Sequence, residues 1–591
     1  MSSKTDNVPF EGVMQVALSV LESIDSPRSL AVAMLAKYLL CDSYQPAVFA
    51  GEMDDLGFNV NNYDQHSIAE FRDDYMATAL LSKLPPKPGA DTSYLVSAAI
   101  EGFQCSEALN RMTNESWKNL AMIDRQLAVC GSSIESFQKT IRRVLGRAPS
   151  LKTLGSRLEW TSGSSVTLPL KHACAEAKCE KGISITYPLA KALHQQLLEG
   201  NPLSPLISDG AWFLTPGNLF DTAPKNIKTR RTIAKEADLN MLYQKAIGSE
   251  IKQRLLQSHI SLYDQTFNQY ASQRCIRTKS ATIDMKNASN SVCRRPVYTV
   301  FPADWVDLFD VTRSHYGTFS PRQDVLERKV GVDWFQYEML SSMGNGFTFE
   351  VESVLFYAMA IEAGADPAEI NVYGDDVILP QRCVSAFQTI ASIFGFEVNT
   401  EKSFTSGAFF ESCGAYSYFG VDVSPVKIKD HLNGPKDRIV LANKIRWFSH
   451  ICRHHNGCDR RFLPAWQMCV HGLPHYVRVR CRGSVGSGIT LWVNSSEYRL
   501  DCMYNRKKCL LQGFQLVPSL AGLTMHGPGV LTMRQAQIRG AFFGFRDQLS
   551  LNQLQRIDDW KGVHEFRDIL SSTPRGNVAE VKVSTRWVIK P

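Results

Sequence analysis

Ile370-Asn-Val-Tyr-Gly-Asp-Asp-Val-Ile-Leu379 is the stretch on which the reading of this chain turns. Apolar and β-branched residues flank a Gly374-Asp375 pair, the pattern of a tight two-residue hairpin. Such a turn sets two adjacent carboxylates, Asp375 and Asp376, at the tip of a buried hairpin. They repel one another there, and the arrangement is costly unless a cation sits between them. Mg²⁺ suits the pair: it takes carboxylate oxygens, keeps waters and accepts substrate phosphates. A solvated turn uses the same residue types, so the hairpin alone leaves both readings open.

A third carboxylate lies upstream. Ala281-Thr-Ile-Asp-Met285 reads as a short strand ending near Asp284. Two strands that deliver carboxylates to one end of a small sheet can hold two metals ~3.5–4 Å apart. One metal would activate an attacking hydroxyl, and the other would steady a leaving phosphate group. An Asp at a strand end can equally be a plain terminator. Between the acidic segments stands Ser341-Ser-Met-Gly-Asn-Gly346, ahead of a helix expected over Phe347 to Glu362 and stopped by Gly364 and Pro367. Two glycines at a helix start allow close backbone approach and leave N–H groups free.

In this order, Asp284, the Ser341–Gly346 loop with its helix, and Tyr373–Asp376 resemble polymerase motifs A, B and C. The sequence is similar to RNA-directed RNA polymerases, in particular the replicase subunit of single-stranded RNA bacteriophages of the Q-beta type. The phrases that carry the likeness are Ser341-Ser-Met-Gly-Asn-Gly-Phe-Thr-Phe-Glu350, Val372-Tyr-Gly-Asp-Asp-Val-Ile-Leu-Pro380 and Phe410-Glu-Ser-Cys-Gly414. They fall between Pro224 and Pro425; the flanks match weakly.

The resemblance implies an α+β, right-hand polymerase fold with fingers, an antiparallel-sheet palm and a helical thumb. It implies RNA synthesis on an RNA template from ribonucleoside triphosphates, with release of pyrophosphate. Asp284, Asp375 and Asp376 resemble the metal ligands for two Mg²⁺ ions, which Mn²⁺ can replace. Lys225, Lys228 and Arg231 resemble the fingers motif that grips the incoming triphosphate, where Lys acts as a point charge and Arg as a planar fork. Lys402 resembles the lysine that protonates pyrophosphate. Gly344 and Asn345 look like template and ribose contacts, and Phe410–Gly414 like a hairpin on the primer strand. The family further implies host elongation factors Tu and Ts and a ribosomal protein as partners, in the bacterial cytoplasm.

One position departs from the family pattern. Asn290 stands where a second Asp normally follows Asp284 and helps to sense the ribose 2′-hydroxyl. An Asn offers a donor and an acceptor but no charge. Lys286, Asn287 and Arg294-Arg295-Pro296 are also unusual, the last where a helix would be expected to continue.

Composition agrees with a large folded chain: 591 residues, 44% apolar, 21% charged. The net charge of +7 is unevenly spread. Lys427 to Arg482 holds twelve Lys/Arg against three Asp/Glu, and Lys225 to Arg254 holds eight against three. Basic blocks on a near-neutral body suit a polyanion in a groove, or a solvated basic face. The fifteen scattered Cys form no tight framework and suit a reduced setting. The N-terminus lacks a signal pattern, and no apolar run reaches the ~20 residues of a membrane span.

Helices are expected over Val13–Ile24, Leu30–Leu40 and Ser116–Ala128, an irregular stretch over Trp160–Thr222, and a basic start passing into helix over Lys225–Leu256. A strand is expected over Val581–Ile589. The expected units are 1–160 (N-terminal helical fingers or extension), 161–280 (fingers), 281–425 (palm) and 426–591 (basic thumb and C-terminal region). Cys452, Cys458, Cys469 and His471 lack standard zinc spacing; Cys174 and Cys179 are too loosely spaced to help. Arg446-Trp447-Phe448 and His475–Arg478 interleave aromatic and basic residues, as RNA grooves and cores both do. Gly483–Gly488 lacks the Lys-Ser/Thr of a phosphate-binding loop. A reverse transcriptase and a non-catalytic RNA-binding relative remain as alternatives, although no bulky aromatic gate closely follows Asp284.

Overall fold

Short runs of apolar and β-branched residues form the strands that carry the acidic positions. The computed structural model describes residues 8–41, 46–63, 66–155, 212–451 and 458–483, stretches between 157 and 198, residues 490–492, and strand segments at 504–505, 510–519 and 580–589. The elements used below are β1 (Gly217–Pro224), β2 (Arg230–Lys235), α1 (Asp238–Gln257), β3 (Ser280–Ile283), α2 (Thr348–Glu362), β4 (Asn371–Tyr373), β5 (Asp376–Pro380), β6 (Phe409–Ser412) and β7 (Ala415–Tyr418). The sheet order is β3–β5–β4, with both pairings antiparallel. The α+β class and the antiparallel sheet expected for the palm are present.

The expected helix over Phe347–Glu362 begins at Thr348 and is buried almost all round, not along one stripe. Val351, Val354, Leu355, Phe356 and Met359 all sit in the main core with residues of helix Ile134–Leu145, of α1, and of helix Val384–Ile393. A helix apolar on every side belongs in the centre of a layered core. Its last residue, Glu362, accepts hydrogen bonds from Ser132 (2.8 Å), Ser136 (2.6 Å) and Thr140 (2.8 Å).

A second core joins the two ends of the sequence. Phe10, Val13, Leu21, Leu81 and Leu84 pack with Val426, Ile445, Phe448 and Val470. Trp117, Phe137 and Leu154, by contrast, belong to the main core. The main core thus takes residues from both sides of position 160, and the second core joins residues 10–84 to residues after 425. A buried ionic seam accompanies the second core. Arg72 donates to Asp73 (3.0 Å) and Asp459 (2.8 Å), and Arg461 donates to Asp73 (2.7 Å) and Asp459 (2.8 Å).

Several local expectations are corrected. The stretch Trp160–Thr222 contains parallel strands Ile183–Thr186 and Trp212–Thr215, helix Tyr187–Leu198 and most of β1. Ser184 and Thr186 are buried because α1 satisfies them: Ser184 N–H donates to Asp238 (3.0 Å), and Thr186 N–H to Asn240 (2.9 Å). Lys225–Thr229 is the tip of the β1–β2 hairpin, and the helix waits until Asp238. Ser116–Ala128 breaks at Trp117–Asn119, and Asn119 caps Leu120–Ala128. After Asp284 the chain turns through Ala288–Asn290 and starts a new helix at Arg294, with Pro296 in a first turn that needs no N–H. The thumb region is helical over Pro435–Ile451, Leu463–His471 and His475–Arg480, but Leu510–Ser519 and Glu580–Ile589 pair as antiparallel strands. Among the described residues no helix is long and apolar enough to cross a membrane.

Candidate active site

Sheet register brings the acidic residues together. Val377 of β5 pairs with Ile283 of β3, so one further step of the antiparallel ladder sets Asp376 opposite Asp284 on one face. Asp376 also faces Tyr373 across the β4–β5 hairpin, with Gly374 and Asp375 as its turn. Gly374 has φ +63°, and a Cβ there would lie 2.2 Å from the Phe349 ring. Its N–H donates to Ser353 Oγ (3.1 Å), which ties the turn to α2.

Loops on either side hold the two strand carboxylates. Asn399 donates its N–H to the Asp284 carbonyl (2.9 Å) and its side-chain amide to Asp284 Oδ2 (2.9 Å). The Asp284 N–H donates to Ser403 Oγ (3.0 Å). Ser412 Oγ donates to Asp376 Oδ1 (3.3 Å) from the tip of the β6–β7 hairpin. Cys413 and Gly414, with φ of +50° and +73°, make the two-residue turn of that hairpin.

Burial pushes the Asp376 carboxyl up to about 6, with Asp375 and Asp284 adding to the shift against a hydrogen bond from Cys413. Asp284 is raised by burial too, with Asp375 adding and Lys402, Asn399 and Lys225 opposing. Among the described residues none of the three is in an ion pair. Oxygen donors that repel one another, with no cation in direct ion-pair contact, suit a hard divalent cation. Among the described residues no group of three or more His, Cys, Asp or Glu is gathered tightly enough to hold a metal by itself. A Mg²⁺ site of this kind keeps waters and substrate phosphates among its ligands, so a closed protein cage is not required.

Cations face these carboxylates. Burial, Arg231, Lys402 and Lys83 together hold the Lys225 ammonium down to about 8, against the pull of Asp284. Lys225 and Lys402 therefore lie within electrostatic reach of Asp284, and Arg231 within reach of Lys225. Lys228 lies on the same hairpin tip, where its N–H donates to Asn226 Oδ1 (2.9 Å). Lys83 joins the group without any signal in the sequence, since it sits in an ordinary turn before Leu84-Pro85-Pro86.

The Ser341–Gly346 loop is clamped onto β2 and α1. Ala234 N–H donates to the Met343 carbonyl (2.7 Å). Gly344 has φ +118°, and a Cβ would lie 2.1 Å from the Ala234 carbonyl oxygen. A Cβ on Gly346 would lie 2.7 Å from Lys245 N. Asn345 Oδ1 accepts the Phe347 N–H (3.0 Å), while its Nδ2 is buried without a partner. The Asn290 carbonyl accepts from Asn110 (2.7 Å), and Asn290 Oδ1 is likewise buried and unpartnered. Next to it, Ser289 donates to Glu352 (2.9 Å), a buried carboxyl pushed well above its usual range by burial, with Asp375 adding. Nothing in the sequence marks Glu352 apart from its place on α2.

The weaker candidates gain little. Cys458 contacts Ser449 Oγ (3.2 Å), and Cys469 is buried, while Cys452, His454 and His455 lie outside the described residues. Cys174, Cys179 and the loop from Ser484 to Gly488 also lie outside them. Phe448 is core, whereas Trp447 is 50% exposed.

A family profile described as RNA replicase, beta-chain, matches residues 44–508, a span that includes every candidate position above. The RNA-directed RNA polymerase beta chain of Enterobacteria phage fr is 33% identical over 354 residues, 58% of this chain and 62% of that relative. The RNA-directed RNA polymerase subunit beta of Escherichia virus Qbeta is 32% identical over 393 residues, 64% of this chain and 62% of the relative. The matched region thus spans less than two thirds of these relatives' own length. Among solved structures, the RNA-dependent RNA polymerase of a human picorbirnavirus aligns with a TM-score of 0.31 at 13% identity, covering 62% of this chain and 84% of that one.

Proposed function

The chain belongs to the RNA replicase beta-chain family, and from that premise we propose that it is an RNA-directed RNA polymerase replicating a single-stranded RNA phage genome. What supports the reading is the strand register that sets Asp376, next to Asp375, opposite Asp284, with Lys225 and Lys402 near Asp284 and Arg231 near Lys225. Carboxylates beside phosphate-binding cations are what nucleotidyl transfer needs.

Asp284, Asp375 and Asp376 would hold two Mg²⁺ ions, or Mn²⁺ in their place, which when bound lower the charge of the triphosphate and sharpen the nucleophile. The chain's own groups do the rest. Lys225, Lys228 and Arg231 bind the triphosphate and fix its angle to the RNA 3′-hydroxyl. As the new 3′-oxygen–phosphorus bond forms and the α–β phosphate bond breaks, the Lys402 ammonium gives a proton to the leaving pyrophosphate. Asn345 Nδ2 and Asn290 Oδ1, a buried donor and a buried acceptor without partners, suit the two sides of a ribose hydroxyl. Gly344, whose missing Cβ makes room for the Ala234 carbonyl, would meet the template through its backbone, and the β6–β7 hairpin bears on the primer strand.

On this reading residues 281–425 act as palm and 161–280 as fingers. The basic helices after 426 act as a thumb, braced by the N-terminal helices. Host elongation factors Tu and Ts, a ribosomal protein and the bacterial cytoplasm complete the setting. The test is purified chain with RNA template, labelled nucleotides, Mg²⁺ and host factors, beside Asp375→Asn. Template-dependent RNA from the parent alone is expected. Preferential use of deoxynucleotides, or equal synthesis by the variant, defeats the reading.

A further inference from the structure

Lys83 belongs to none of the motifs that mark the site, yet the fold sets it among the phosphate-binding cations. The short segment Leu80–Leu84 is wedged between two others. On one side Asn226, at the β1–β2 tip, donates its side-chain amide to the Ser82 carbonyl (3.2 Å). On the other, Ile428 N–H donates to the Leu80 carbonyl (3.0 Å). Leu81, Leu84, Ile227 and Ile428 pack in one core and pin all three segments. Lys83 therefore stands between Lys225 and the pair Lys427 and Lys429.

We propose that Lys83, Lys427 and Lys429 form the outer half of the phosphate site, holding the terminal phosphates of the incoming nucleotide and then the departing pyrophosphate. This rests on the polymerase reading and extends it to residues outside the family motifs.

Charge supports the assignment. Lys83 feels Lys402, Arg231 and Lys429; Lys427 feels Lys83, Lys429 and Lys402. Burial leads in lowering both ammonium groups, and the neighbouring cations lower them further. Among the described residues none of Lys83, Lys225, Arg231, Lys402, Lys427 and Lys429 is in an ion pair. Glu411 attracts Lys83 and Lys427, but burial pushes that carboxyl up to about 7, so it offsets only part of the positive charge. Lys427 is further fixed by a hydrogen bond to the Tyr416 hydroxyl and by that ring's face, 4.3 Å from its ammonium. Six cations on converging segments match a compact polyanion better than an RNA strand, which spreads one charge per nucleotide. The group starts near Asp284 with Lys225 and Lys402 and continues through Lys83 to Lys427 and Lys429, as the tail of a nucleotide would.

The first test is equilibrium binding of inorganic triphosphate to the full chain. Lys83→Ala and the exposed Lys429→Ala are each expected to weaken it about tenfold, the loss of one charge-assisted contact, with Lys83→Arg restoring most of it. In elongation assays the same alanine variants raise the nucleotide KM and the pyrophosphate concentration needed for inhibition. Thermal unfolding of Lys429→Ala is unchanged, which separates binding from folding. Unchanged triphosphate binding in both variants, or a loss of RNA affinity instead, overturns the proposal. If the parent makes no RNA while Lys83→Ala still weakens triphosphate binding, the polymerase reading fails and the phosphate site stands.

Discussion

Gly344 and Gly374 both occupy positive-φ positions, but what crowds them differs. A Cβ on Gly344 would meet the Ala234 backbone carbonyl, which hydrogen bonding holds in place, whereas one on Gly374 would meet the edge of the Phe349 side chain. Gly344→Ala is therefore expected to cost about 2–4 kcal/mol and Gly374→Ala about 1–2 kcal/mol in denaturant unfolding. The reverse order would contradict the clamp between the loop and β2. Asn290→Asp restores a charged acceptor near the ribose and should raise the ratio of ribo- to deoxynucleotide incorporation by roughly threefold or more. An unchanged ratio removes Asn290 from sugar recognition. At this scale the acidic positions were legible because hairpin and strand signals are local. Lys83 and Glu352 were not: a lysine in a turn and a glutamate in an apolar helix take their meaning only from residues on other elements.

Elements were legible where a single period dominated. The β4–β5 hairpin and α2 fall within a residue or two of expectation. Between Trp160 and Thr222 Ser, Gly and Pro suggested an irregular stretch, yet strands form, and side chains of α1 satisfy the buried polar groups of Ser184 and Thr186. The ionic seam of Arg72, Asp73, Asp459 and Arg461 was equally invisible, since its halves lie at opposite ends of the sequence. Arg72→Met should cost about 3 kcal/mol, because it leaves Asp459 and Asp73 half-buried with one guanidinium between them. Burial alone would raise the Asp459 carboxyl, but bonds from Arg461 and Arg72 outweigh it and hold the group below its usual range. A depressed carboxyl contributes stability that is complete above its unfolded pKa of about 3.9 and is lost as pH falls through the folded value. Melting temperature should therefore fall more steeply below pH 4 in the parent than in Arg72→Met. Parallel curves would show that the seam does not carry that acid sensitivity.

At the scale of the molecule, the two cores make the N-terminal helices a structural partner of the region after 426. Residues 85–591 expressed alone should be largely insoluble, and co-expressed residues 1–84 should recover soluble protein. A soluble, cooperatively melting 85–591 chain would show that the second core is dispensable. The basic surface predicts RNA affinity that declines steeply with salt, measurable as the slope of log affinity against log salt. The reading from the sequence found acidic motifs close together along the chain, because each is a local pattern. It missed the shared core because amphipathic helices do not announce which distant face they cover.

That shared core also sets a clock. A ribosome adding ~5–20 residues per second needs roughly 17–70 s to travel from residue 84 to residue 426. For that time the apolar faces around Phe10, Val13 and Leu21 have been made but their covering helices have not. Nascent chains halted between residues 376 and 426 carry all three aspartates yet lack the brace behind Lys83. On the polymerase reading, copying of an RNA by its own translation product must wait until a ribosome has passed the codons for the segments that close the second core.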